Sequence, residues 1–108
     1  MRLLFVPVLL ALPACGTVCD GVVGAERSTK ARAFDCNVTV TVHDANKCNT
    51  NLSKCTGEDL KALQDYTSCL NALPNCSASN QGAFQSSLND CGLKALTKLT
   101  LSCWTSIL

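Results

Sequence analysis

The sequence predicts a mainly α fold: a small, disulfide-stapled helical hairpin preceded by a short N-terminal β segment. Three observations carry this prediction. Nine cysteines in 108 residues are the usage of a disulfide scaffold. Apolar residues recur at helical spacing through the second half of the chain. Residues Phe34 to Val42 alternate apolar and polar, the period of a half-buried strand. The length allows one domain. Aromatic residues make up only 5% of the chain, so the core is thin and depends on its staples.

Met1-Arg2 is a short basic start, followed by Leu3 to Ala14, a stretch without a charge. A membrane-spanning helix needs about 20 apolar residues, and Pro7 and Pro13 interrupt this shorter run. The pattern is that of a secretory signal; a buried N-terminal helix would show an amphipathic pattern, and none exists here. Leu12-Pro13-Ala14-Cys15-Gly16 resembles a bacterial lipobox, with an aliphatic residue three before the cysteine and a small one directly before it. Pro13 departs from it, where Ser, Ala or Thr is usual. The resemblance implies cleavage after residue 14, diacylglycerol on the Cys15 thiol and an acylated amine. Two competing readings exist. Ordinary cleavage after Gly16 would use Ala14 and Gly16 as its small pair. Cleavage after Ala14 without lipid would need a small residue where Leu12 stands.

Cysteine parity bears on these readings. Without Cys15, eight cysteines remain: Cys19, Cys36, Cys48, Cys55, Cys69, Cys76, Cys91 and Cys103. Eight can close four bridges with no thiol left over. Cleavage after Ala14 without lipid strands one cysteine, whereas lipidation and cleavage after Gly16 each dispose of Cys15. The chain beyond the signal has eight basic and eight acidic residues, a formal net charge of zero. Such a balance creates no field for nucleic acid or anionic lipid.

Residues 15–33 read as a tether and loop, and 34–108 as the disulfide-rich helical domain. Asp20 to Lys30 holds Gly21, Gly24, Ser28 and Thr29 without clear periodicity. In the strand that follows, Phe34, Cys36, Val38, Val40 and Val42 share one face, and Gly21-Val22-Val23 is its candidate partner. His43-Asp44-Ala45-Asn46 reads as a turn. Thr56 caps a helix with Glu58 and Asp59 in its first turn. Leu60, Leu63, Tyr66, Leu70 and Leu73 form its stripe, and Pro74 stops it. Asn75 to Gly82 is a polar loop with Ser77 or Ser79 as candidate cap. Phe84, Leu88 and Cys91 form a second stripe, which Gly92 interrupts. Leu93, Leu96, Leu99 and Cys103 form a third, with Lys94 and Lys98 outside. The stripes read as core.

The hairpin follows from cysteine spacing. Cys55 to Cys69 and Cys76 to Cys91 are arms of nearly equal length, about 21–23 Å if helical. Antiparallel arms would join Cys69 to Cys76 at the tip, Cys55 to Cys91 at the base and Cys48 to Cys103 beyond it, leaving Cys19 and Cys36 for the N-terminal part. This nested scheme is similar in logic to twin-cysteine helical hairpins, and it is one of about 105 connectivities open to eight cysteines. Cys55 and Cys69 cannot bridge each other along one helix, because bridged Cα atoms lie within about 7 Å.

Lys54-Cys55-Thr56, Glu58-Asp59, Leu63, Tyr66, Cys69-Leu70, Leu73-Pro74 and Cys76 together resemble small cysteine-rich outer-membrane and surface lipoproteins of social, gliding, predatory bacteria. The resemblance covers roughly Cys48 to Cys103 plus the lipobox. It implies a role in gliding motility or cell-contact exchange of outer-membrane material, and it carries over no catalytic residue.

Candidate chemistry is sparse. The single histidine excludes multi-histidine metal sites, and the absence of C-x-x-C excludes the common redox and zinc spacings. Paired cysteines offer no thiolate and no metal ligand. His43 beside Asp44 could orient a base, though a polar turn accounts for both. Asp59 and Asp65 read as surface acids. Asn37-Val38-Thr39, Asn51-Leu52-Ser53 and Asn75-Cys76-Ser77 are glycosylation sequons, which matter only in a eukaryotic source. The expectation is a non-enzymatic, cofactor-free protein that is exported. A lipid on Cys15 would hold it at the outer membrane or cell surface, where it acts as a structural or protein-interaction module. Its partners would be the membrane and another protein, not nucleic acid. The alternative is a soluble secreted effector or ligand cleaved after Gly16.

Overall fold

The structure, a computed structural model, describes residues 17–108. The expected signal segment, the lipobox-like motif and Cys15 lie outside the described residues. The domain is mainly helical, with four disulfides and, among the described residues, no strand.

Helix α1 (Val18–Arg32) occupies most of the predicted tether and includes Gly21-Val22-Val23. That expectation is corrected by two physical features. Thr17 and Asp20 form a reciprocal capping box, the Thr17 hydroxyl accepting from the Asp20 amide at 3.1 Å and so satisfying an orphan helix donor. Cys19, Val22, Val23, Ala25, Glu26 and Thr29 form one buried face, and tertiary burial outweighs the low propensity of the glycines.

The predicted β segment is also corrected. Phe34 is 86% exposed in a turn after α1. Val38 to Val42 is extended but unpaired: its amides make no backbone hydrogen bond among the described residues. The alternation is real in burial, since Cys36, Val38, Val40 and Val42 are half-buried and Asn37, Thr39 and Thr41 are exposed. The apolar side chains pack on helices instead of a sheet face. Helix α2 (Ala45–Asn51) follows where a turn was expected. Asp44 caps it, accepting from the Asn46 amide at 2.8 Å. A 3₁₀ turn spans Leu52–Lys54.

Helix α3 (Gly57–Asn71) starts at Thr56 as predicted, through a second capping box with Asp59. Leu63, Leu70 and Leu73 of its stripe are buried. Helix α4 (Gln81–Lys98) differs in three ways. Asn80 stands at its N-cap position, not Ser77 or Ser79, and turns its side chain back to the loop, accepting from the Ser77 amide at 2.7 Å. The helix runs unbroken through Gly92, because one glycine costs only about 1 kcal/mol against alanine. Leu93 and Leu96 are exposed. The break comes at Leu99, and Thr100 caps α5 (Leu101–Ile107).

Helix α3 is central, packed on one side by α1 and on the other by α4, while α2 and α5 close one end. The α3–α4 hairpin exists, but the nested pairing does not. The bridges are Cys19–Cys48, Cys36–Cys76, Cys55–Cys103 and Cys69–Cys91. The chain after Leu73 does not turn tightly. It runs to the end of α1, where the Cys76 amide donates to the Arg32 carbonyl at 2.9 Å and Cys76 bridges Cys36. This longer connection shifts the register, so Cys91 and not Cys76 faces Cys69. Two small cores result, each holding two bridges. One gathers Val22, Ala62, Leu63, Leu99 and Ile107 around Cys19, Cys48, Cys55 and Cys103. The other gathers Ala25, Leu70, Leu73 and Phe84 around Cys36, Cys69, Cys76 and Cys91. Tyr66 packs against both.

Candidate functional site

The candidate site is a cavity of about 340 Å³ lined by α3, α4 and the α5 end of the chain, with His43 in its wall. Leu63, Ala95 and Leu99 form its buried apolar wall, and Trp104 is half-buried beside them. Its polar corner comes from three elements. Glu26 lies on the inner face of α1 and is fully buried. The extended segment brings His43 to it, and α3 brings Tyr66. One Glu26 oxygen accepts from the His43 amide at 2.9 Å. The other meets His43 Nδ1 at 2.6 Å and accepts from the Tyr66 hydroxyl at 3.2 Å. A buried carboxylate is tolerated because these donors replace water.

The electrostatics follow from this contact. The Glu26 hydrogen bond raises the His43 pKa above its usual 6.5; burial and nearby Lys47 oppose the rise, and the Glu26 charge adds to it. Burial, then the Glu26 charge and hydrogen bond, push the Tyr66 hydroxyl far up, so it stays protonated. The His43 Nε2 makes no hydrogen bond among the described residues and is not closed off from solvent.

The partner of His43 is Glu26, not Asp44, which caps α2. Asp59 is not a surface acid: it is 1% exposed and joins two helix ends. It accepts from the amides of Thr56 and Thr100, each at 2.8 Å, and from the Thr100 hydroxyl at 2.8 Å. Burial raises its pKa, but hydrogen bonds from the backbones and hydroxyls of Thr56 and Thr100 outweigh that and leave it below the usual value. Asp65 is exposed, 3.9 Å from Lys61, a pair of little energetic weight. Cys55, Asp59 and Cys103 converge within 4.8 Å, but the two sulfurs are bonded to each other and Asp59 is committed to capping. All eight cysteines of the described residues are bridged, so none offers a thiolate. Cys15 lies outside the described residues.

Sequence reasoning missed Glu26, Gly92 and Trp104 as site residues and took Tyr66 as core alone. The signal for Glu26 was present: Cys19, Val22, Val23, Glu26 and Thr29 recur at helical spacing, with an acid inside the apolar stripe. Four disulfides mark an exported protein. Among the described residues, no helix is long and apolar enough to cross a membrane. No protein-family model, curated protein or solved structure matches the chain.

Proposed function

We propose that this is a lipoprotein of the outer membrane or cell surface, anchored through Cys15, whose helical domain is a structural or protein-interaction module without catalysis. One observation carries the reading. The eight cysteines from Cys19 to Cys103 close four bridges among themselves, so the described residues hold no unpaired thiol for the ninth, in the lipobox-like Leu12-Pro13-Ala14-Cys15-Gly16. Two or more acyl chains on that cysteine give stable anchoring, where one gives only marginal binding. Thr17 already caps α1, so Gly16 alone, two peptide steps or about 7 Å of extended chain, would separate the lipid from a stapled domain. A module held so close to the bilayer suits work at the membrane surface, and the resemblance to lipoproteins of gliding bacteria gives motility or cell contact as its setting. The polar groups of the cavity lining are His43 and Tyr66.

Intact-mass analysis of the processed protein tests this directly. The expected product begins at Cys15 and carries its acyl chains, and Cys15→Ser accumulates unprocessed or leaves the membrane fraction. An unmodified chain beginning at Thr17 in the medium would overturn anchoring in favour of the secreted reading.

A further inference from the structure

We propose that the cavity binds a small, uncharged apolar molecule carrying one hydroxyl, its body against Leu63, Leu96, Leu99 and Trp104 and its hydroxyl on His43 and Tyr66. The inference does not rest on anchoring; it holds whether or not Cys15 carries lipid.

Three features of the structure lead there. The first is volume and lining: about 340 Å³ lies at the lower end of the roughly 300–1,000 Å³ of small-molecule sites, and the wall is apolar apart from one corner. Leu96, 42% exposed, stands at the mouth.

The second is Gly92. It sits inside α4 and lines the cavity. A Cβ built there would meet nothing within 4 Å, so close packing does not demand the glycine. Its backbone is ordinary helix, so no left-handed conformation demands it either. Because Gly92 is a lining residue, a bulky side chain at this position would border the cavity. Glycine here weakens the helix and keeps the space open.

The third is the chemistry of the polar corner. His43 Nδ1 is committed to Glu26, and Nε2 has no hydrogen-bond partner among the described residues. In imidazolium Nε2 donates; in the neutral tautomer with Nδ1–H held on Glu26 it accepts. A hydroxyl satisfies either state. The Tyr66 hydroxyl donates to Glu26, which leaves its oxygen to accept. A carboxylate would meet the buried Glu26 charge behind His43, and a cation would find no free acidic side chain in the lining. Both ions would also lose hydration to an apolar wall.

The test uses the oxidised, processed protein with 1-octanol, octanoate and octylammonium as probes of one chain length. Trp104, the single tryptophan, lines the cavity and reports by its emission, with calorimetry in parallel. The expected result is saturable 1-octanol binding, about fivefold or more tighter than either ion, as one hydrogen bond of about 1 kcal/mol gives. Gly92→Leu fills the space and should weaken octanol at least about tenfold while helical circular dichroism is retained. Independently of any variant, octanol should shift the methyl resonances of Leu63, Leu96 and Leu99. Three results would each overturn the proposal: no saturable octanol binding, equal binding of the ions, or shifts that map away from these leucines. A folded Gly92→Leu protein with unchanged affinity would do the same.

Discussion

Glu26 is fully buried, and three donors from two other segments meet it: the His43 amide, His43 Nδ1 and the Tyr66 hydroxyl. Removing its charge leaves those donors poorly matched, so Glu26→Gln should cost about 1–3 kcal/mol of stability. The pH dependence has a definite sign. The folded pKa of His43 is raised above 6.5. Its contribution is therefore fully present below that value and is lost as pH rises through the folded pKa. Urea denaturation should show a larger gap between wild type and Glu26→Gln at about pH 5.5 than at about pH 9. An equal gap at both would mean that Glu26 does not shift the titration of His43. His43→Ala should also destabilise, because it strips Glu26 of its closest partner. Gly92→Ala works in the other direction. Alanine enters open space there and should add about 0.5–1 kcal/mol, read as a rise in melting temperature.

Between elements, Asp59 is the principal joint. Its carboxylate accepts from the first residue of the α3 capping box and from the N-cap of α5, so one buried side chain serves its own helix start and that of a helix whose cap, Thr100, lies 41 residues further on. Asp59→Asn retains the size but loses the charge and one acceptor. It should cost about 2–3 kcal/mol at neutral pH, as hydrogen bonds to a charged group do. The folded pKa lies below the ordinary 3.8. The stabilisation is thus present above 3.8 and fades as pH falls through the lower, folded value. Denaturation at pH 7 and near pH 2 should show the gap between Asp59→Asn and wild type shrinking in acid. The Val38–Val42 segment gives a contrasting expectation. Without a ladder partner, its amides should exchange with solvent far faster than those of α3, and slow exchange there would restore the strand.

Across the whole molecule, stability rests on two thin cores and four bridges. Each native disulfide in a small exported domain contributes about 2–4 kcal/mol, and four contribute on the order of the 5–15 kcal/mol of a complete domain. Reduction should therefore unfold the protein, seen as loss of helical circular dichroism; a melting temperature that barely moves would refute the staple argument. The bridges also interlock. Cys36–Cys76 ties α1 to the loop before α4, while Cys55–Cys103 encloses Cys69–Cys91 in sequence. Non-reducing peptide mapping should recover these pairs, and a Cys69–Cys76 peptide would refute the register shift. Exported disulfide proteins of this size tolerate few core aromatics because the covalent network replaces burial, which fits Phe84 as the only fully buried aromatic side chain among the described residues.

The sequence by itself determined the class: helical, cysteine-stapled and exported. It also located α3, because a capping threonine, first-turn acids, a leucine stripe and Pro74 are local signals that all agree. It detected the period-two burial from Cys36 to Val42 as well, but alternation reports which side chains face a core, not whether that core is a sheet or a helix pair. Helix α1 was hidden because its glycines and serine lower local propensity, while its stability comes from a face packed on α3. Only the tertiary structure decided the bridges, since pairing depends on how far the loop after Pro74 travels before α4 begins. It alone decided the site, too. Glu26, His43 and Tyr66 are far apart in the chain, and each has an ordinary local explanation. Their chemistry exists only because three packed segments bring one carboxylate within hydrogen-bond reach of both partners, beside a cavity that His43 and Tyr66 line.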